Sequence, residues 1–338
     1  MDMKKLTALA REKFGTFCRV CPVCDGRACK GEIPGAGGVG TGRSFQNNLL
    51  ALQAVQLKQR VIHNVTNPDT SCKIFGLNLK MPILGAPIGG IAFNWNNFLP
   101  ENEYAATIVT GCKQAGCIGM TGDGKDPNIY KFGLEAIAKE QGYGIATIKP
   151  RPNEQIIQLA QQAIDCGTSA IAIDIDAAAL INMTVSGQPV SGKTIDQLRE
   201  LKANISVPLI IKGIMTPEDA LACVQAGVDG IVVSNHGGRV LDDTPGTAAV
   251  LPAIKQAVGD KLTILVDGGI RNGTDVLKML ALGADAVMLG RPILFSAAGG
   301  LAGVNFLLNK FQNELVASMI MTGCQNLDAV QADIIYRP

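Results

Sequence analysis

From residue 82 onward the chain alternates two apolar patterns. Eight short runs are apolar at nearly every position: PILGA (82–86), CIGMT (117–121), YGIAT (143–147), AIAID (170–174), PLIIK (208–212), GIVVS (230–234), TILVD (263–267) and AVMLG (286–290). Between them lie longer stretches with helical spacing, such as residues 101–116 and 216–227. The second opens on Thr216, Pro217 and two acids and closes on Gly227, which is the start and stop chemistry of a helix. Continuous apolar strands alternating with helices predict a parallel sheet covered on both faces. Eight such units in about 250 residues match the size of a (β/α)8 TIM barrel.

A doubly wound open sheet has the same periodicity, and the polar residues decide between the two. Lys212, Asp267 and the pair Gly290-Arg291 end or follow strands, as do Asp174, Asp176 and the segment from Ser234 to Arg239. In a barrel all of them open onto one rim, where such folds keep their active sites. The first 81 residues stand outside the repeat. They hold a charged start, four clustered cysteines, the Gly-rich stretch GEIPGAGGVGTGR (31–43) and a segment of helical spacing after Ser44. The expected organisation is therefore an N-terminal extension, 1–81, closing one end of a barrel formed by 82–338.

Composition narrows the function. The chain is 47% hydrophobic with a formal net charge of +1, so no basic surface points to nucleic acid or an anionic membrane, and a small-molecule substrate is expected. No stretch reaches the length of a membrane span, and the start MDMKKLTALAREKF lacks the apolar core of a signal peptide. A cytoplasmic location is expected. Ten cysteines are then thiols and not a disulfide framework.

Two rim segments go further: IVVSNHGGRVLDDTPGTAAVLPAI (231–254) and VDGGIRNGTDVLKMLALGADAVMLGRP (266–292). With PLIIKGIMTPEDA (208–220) they closely resemble the FMN-dependent α-hydroxy acid oxidases and dehydrogenases, the glycolate oxidase and lactate dehydrogenase group. The likeness is strongest from 205 to 295, weaker from 82 to 204, and not apparent before that. It implies an oxidoreductase that passes hydride from a 2-hydroxy acid or related alcohol to FMN. His236 matches the base, and an imidazole exchanges protons near neutral pH. Asp176 matches the carboxylate that orients it, Lys212 the cation beside the flavin N1 and O2 edge, and Arg239 the partner of the substrate carboxylate. On the cofactor side the resemblance implicates Asp267 for the ribityl hydroxyls, and Gly269, Arg271, Gly290 and Arg291 for the phosphate. Ala86 and Pro87 match the backbone against the flavin ring, Asp174 replaces a family threonine near that ring, where it could accept from the flavin N3-H, and Ser234 belongs to the same cofactor-binding set. The family further implies a homo-oligomer, commonly a tetramer, with an electron-transfer partner among the possible acceptors.

The departures fall on the substrate side. The family's tyrosine after the third strand is replaced within ATIKPRPN (146–153), its second arginine is missing from 172–187, and its N-terminal tyrosine has no counterpart in 1–81. Lys149 and Arg151 are candidates to supply the missing charge; a solvated basic loop stiffened by prolines is the competing account. Two further functions stay open: an FMN-dependent reductase or isomerase acting on another substrate, and a flavin- or metal-binding module without catalysis.

Cys18, Cys21, Cys24 and Cys29 form a C-x2-C-x2-C-x4-C run. Its first spacings resemble the bacterial ferredoxin pattern and suggest an iron-sulfur cluster, with zinc bound by four thiolates as the competitor. The only other histidine, His63, is assigned no role.

Overall fold

The computed structural model describes residues 1–180, 183 and 186–337. Its centre is a closed barrel of eight parallel strands. An antiparallel hairpin, β1 (Cys72–Ile74) and β2 (Leu77–Leu79), precedes it. The staves are β3 (Ile83–Ile88), β4 (Ile118–Thr121), β5 (Ile145–Ile148), β6 (Ala170–Asp174), β7 (Leu209–Ile214), β8 (Gly230–Val233), β9 (Thr263–Val266) and β10 (Ala286–Leu289), with β10 closing on β3. All eight lie within two residues of the runs predicted from the apolar pattern.

Those runs are continuous because each strand buries both faces. In β6, Ala170 and Ala172 point into the barrel, while Ile171 and Ile173 point out to the helices; in β8, Val232 points in and Ile231 and Val233 point out. The interior is filled by Leu84, Ile118, Met120, Ile145, Ile210, Leu265 and Met288, all with 1% exposure or less. Burying each such side chain stabilises the fold by roughly 1.5–3 kcal/mol.

The stretch expected to close one end of the barrel reaches both ends. At the N-terminal end of the strands, the β1–β2 hairpin packs Ile74, Leu79 and Phe75 against the interior side chains. Phe75 lies so near Gly230 that a Cβ there would stand 2.7 Å from its ring. The hairpin was not foreseen, because its strands are three residues each.

At the opposite rim lies the helix Arg43–Ala54. Its capping residue, Gly42, offers no side chain, and Asp242 takes over from the loop after β8: one carboxylate oxygen accepts from Thr41 N at 2.5 Å and Thr41 Oγ1 at 2.7 Å, the other from Ser44 N at 3.3 Å. A carboxylate at a helix N-terminus is also favoured by the helix dipole. Two asparagines complete the seam, with Asn48 Nδ2 donating to Asn235 Oδ1 at 2.8 Å and Asn235 Nδ2 returning a bond to Asn48 Oδ1 at 3.2 Å. Among the described residues no helix is long and apolar enough to cross a membrane.

Burial opposes ionisation of Asp242, but the hydrogen bonds from Thr41, Asp243 and Ser44 hold its carboxyl down at about 2. A carboxylate held below its unfolded-state value of about 3.9 stabilises the fold only while ionised, so its contribution is complete above that value and is lost as pH falls through about 2. The urea midpoint of the wild type is therefore expected to fall more steeply with acid, between pH 4 and 2, than that of Asp242→Asn. Parallel slopes would show that the contact adds nothing to stability.

Candidate active site

The C-terminal ends of β5, β6 and β7 place three charged residues side by side. Asp174 and Lys212 are direct partners across β6 and β7, and Lys149 follows Ile148, which pairs with Ile173. Asp174 is 2% exposed and binds both lysines, Lys149 Nζ at 2.5 Å and Lys212 Nζ at 2.9 Å. Burial opposes its charge, yet His236, Lys149 and Lys212 together hold its carboxyl well below the usual range. For Lys212, burial likewise opposes the ammonium, and Asp174 and then Asp176 and Asp267 outweigh it and raise its proton affinity. A bulge after Lys212 allows this crowding. Gly213 has φ +107°, and any Cβ there would stand 2.5 Å from that of Asp176.

His236 sits beyond β8 with φ +56°, the first of three consecutive left-handed residues before Arg239. Histidine tolerates that region better than most side chains, and Ser234 Oγ steadies it by accepting from its backbone N at 3.1 Å. Its Nδ1 lies 2.8 Å from Asp176 Oδ1 and 3.5 Å from Asp174 Oδ1. With Nδ1 engaged by a carboxylate, Nε2 is left as the basic nitrogen.

These groups border a cleft of about 500 Å³. Ala86 and Pro87, at a bulge in β3, form part of one wall. Lys149, Lys212, His236 and Arg239 line it, as do Asp267, Gly269, Arg271, Gly290 and Arg291. Asp174, Asp176 and Ser234 lie behind this lining. Asp267 is 8% exposed, and its Oδ1 has no hydrogen-bond partner among the described residues. Burial raises its carboxyl despite Lys212 and a hydrogen bond from Ser234.

Three arginines lie along the cleft without an ion-paired carboxylate among the described residues. Arg239 donates to Gly35 O at 2.6 Å, Gly37 O at 3.2 Å and Asn94 Oδ1 at 3.1 Å. Arg291 donates to Ala36 O, Gly37 O and Gly237 O, and stacks 3.7 Å from the centre of the Phe45 ring. Arg271 donates to Cys24 O at 3.0 Å. Burial, then the neighbouring guanidinium, pulls Arg239 down to about 9; burial is also the main cause that brings Arg291 to about 10. Half-buried cations with only uncharged partners form a site suited to an anion.

Arg151 is placed differently from the sequence expectation. Its guanidinium grips Asp123 with both terminal nitrogens, the second at 3.1 Å, and also reaches Gly124 O. It does not line the cleft, so its charge is already balanced there. Of the two candidates for the missing substrate cation, only Lys149 borders the cleft. Asp123, Phe45, Asn48 and Asn94 were missed in the sequence, since each acts through a partner remote along the chain. Cys18, Cys21, Cys24 and Cys29 are all half-buried and unpaired, and no three of their sulfurs lie within 4.8 Å of one another.

The family described as FMN-dependent dehydrogenase matches residues 35–187 and 181–337, which together run from the Gly-rich loop to the end of the barrel. The chain belongs to this family. As an FMN-dependent dehydrogenase it is an oxidoreductase with FMN as cofactor. The match also takes in residues 35–81, where the sequence alone showed no likeness. Among its relatives are the peroxisomal (S)-2-hydroxyacid oxidase GLO3 of Arabidopsis thaliana, 32% identical over 87% of this chain and 88% of that one. The L-lactate dehydrogenase of Xanthomonas campestris is 31% identical over 89% and 91%. A crystal structure of mandelate oxidase with (S)-2-phenylpropionate superposes with a TM-score of 0.80 at 29% identity, covering 97% of this chain and 96% of the other. These relatives favour an oxidase or dehydrogenase over a reductase, an isomerase or a non-catalytic module.

The FMN-dependent dehydrogenase site depends on Asp174 for its charge balance. Asp174→Ala leaves two buried ammonium groups without their shared carboxylate, and is expected to cost about 3–5 kcal/mol in urea unfolding. A loss below about 1 kcal/mol would mean that water already neutralises the lysines.

Proposed function

We propose that this FMN-dependent dehydrogenase oxidises a 2-hydroxy acid, with His236 as the base. The observation that carries the reading is the 2.8 Å contact between His236 Nδ1 and Asp176 Oδ1 at the edge of the cleft. Asp176 fixes the tautomer, so Nε2 takes the hydroxyl proton, and the same carboxylate stabilises the imidazolium that results. FMN supplies the hydride acceptor when bound. Lys212, held by Asp174 at 2.9 Å, would supply a fixed cation beside the bound flavin. Asp267 would hold the ribityl chain, and its unpartnered Oδ1 supports this role. Arg271 and Arg291, with the backbone at Gly269 and Gly290, would hold the phosphate. Support comes from their lack of carboxylate partners and from the open space beside Gly290, where a Cβ would meet nothing within 4 Å. Ala86 and Pro87 would lie against the ring, with Asp174 and Ser234 supporting the lining from behind.

For the substrate we assign the carboxylate to Arg239, with Lys149 as the second cation in place of the family's second arginine. Arg151 is left out of this reading because Asp123 holds it. We place the protein in the cytoplasm, where the ten cysteines of the sequence would stay reduced.

His236→Ala is expected to keep its FMN and lose about 10²–10⁴-fold in kcat with a 2-hydroxy acid; retention of more than about a tenth of the activity would remove His236 from this role. Lys149→Met is expected to raise KM about tenfold, with a smaller effect on kcat. An unchanged KM would confine Lys149 to its pair with Asp174.

A further inference from the structure

The loop from Cys18 to Cys29 backs onto the arginines of the cleft. Cys24 O accepts from Arg271 Nη2 at 3.0 Å and Nε at 3.3 Å, and the same Nη2 stands 3.8 Å from Cys24 Sγ. A Cβ on Gly37 would stand 1.8 Å from Cys29 O, so the two backbones are in direct contact. Gly37 O in turn accepts from Arg239 and Arg291. Gly26, between Cys24 and Cys29, lies on the Phe45 ring on which Arg291 stacks.

The four cysteines fall within twelve residues of this loop. Cys18 is within electrostatic reach of Cys21, Cys24 and Arg291, and Cys29 within reach of Cys18, Cys24 and Arg291. All four are half-buried and none is in a disulfide. Core packing explains such a set poorly, because the segment between them is polar and carries Arg19, Asp25 and Arg27. Four cysteines gathered beside guanidiniums are instead a donor set for an anionic metal centre, which would bind them as thiolates and whose sulfurs accept hydrogen bonds from the surrounding donors.

We propose that Cys18, Cys21, Cys24 and Cys29 bind an iron-sulfur cluster, and that the loaded loop braces Arg271, Arg291 and Arg239 toward the cleft. The sequence pattern favours a cluster over zinc, because four-thiolate zinc sites usually set two short pairs apart on separate hairpins, whereas these four cysteines fall in one run of twelve residues. Cys18, Cys21 and Cys24 have the C-x2-C-x2-C spacing of bacterial ferredoxins, in which the fourth cysteine of the run serves another cluster, so Cys29 is assigned as fourth ligand by its place in the same loop and not by that pattern. The bracing part of the proposal rests on the assignment of Arg271 and Arg291 to the FMN phosphate; the cluster itself does not.

The test uses the full chain purified without oxygen, with iron, acid-labile sulfide, zinc and FMN quantified on one sample. About four irons and four sulfides per chain are expected for a cubane, together with an EPR signal after dithionite reduction that a flavin radical does not explain. Cys21→Ser and Cys24→Ser should lose the iron and weaken FMN binding about tenfold, while Cys166→Ser should change neither. Incubating metal-free wild type with ferrous iron and sulfide should restore the iron signal, which keeps the test decisive even where a serine variant fails to fold. FMN present without iron and sulfide, or one zinc per chain in their place, overturns the cluster and leaves the flavin reading standing. Iron and sulfide with unchanged FMN affinity in the serine variants keeps the cluster and overturns the bracing.

Discussion

Asp174 sits 2% exposed between two ammonium groups, and the geometry of the rim follows from that placement. Two like charges about 4 Å apart repel by roughly 4 kcal/mol at an effective dielectric of about 20, so two buried lysines can converge only around an anion. Three consecutive strands bring them together, because the barrel's register sets Lys149, Asp174 and Lys212 abreast. With Asp174 committed to the lysines, Asp176 is left to face His236, and its closer oxygen does so at 2.8 Å. The two carboxylates, two residues apart, share one charge network, in which Asp174 also lies 3.5 Å from His236 and Asp176 lies 3.7 Å from Lys212.

A net charge of +1 hides a strong local asymmetry. Around the cleft Asp174 is taken up by the lysines and Asp123 by Arg151, while Asp267 keeps an unpartnered Oδ1 among the described residues. Arg239, Arg271 and Arg291 are left with backbone carbonyls for partners. An anionic cofactor and an anionic substrate both fit that imbalance. The asymmetry also explains why so neutral a chain carries so polar a cleft: three arginines line it without an ion-paired carboxylate among the described residues, where a ligand can complete them.

The barrel was legible because strands buried on both faces leave unbroken apolar runs, and the ends of those runs named the rim residues. Lys212, Asp267 and Gly290-Arg291 could be located on the cleft from position alone. The helix pairing of Asn48 with Asn235, and the capping of residues 41–44 by Asp242, left no local trace, since each partner lies about two hundred positions away. Arg151 shows the opposite error. Its place after a strand suggested a free cation, but the sequence does not display the Asp123 side chain that meets it across the neighbouring strand end. The β1–β2 hairpin escaped because three-residue strands carry too little alternation to register.

The Thr41–Asp242 contact bears on how the chain is made. Residues 40–48 leave the ribosome early, yet their partners at 235–247 are synthesised some two hundred residues later. The roof over the cleft must therefore wait, exposed, while most of the barrel is translated, and it docks only when the eighth-strand region has emerged and closed. Long-range pairings of this kind slow folding and prolong the exposure of sticky surface. Cofactor capture then waits for that docking: the arginine-lined cleft does not exist until two segments about two hundred residues apart have met.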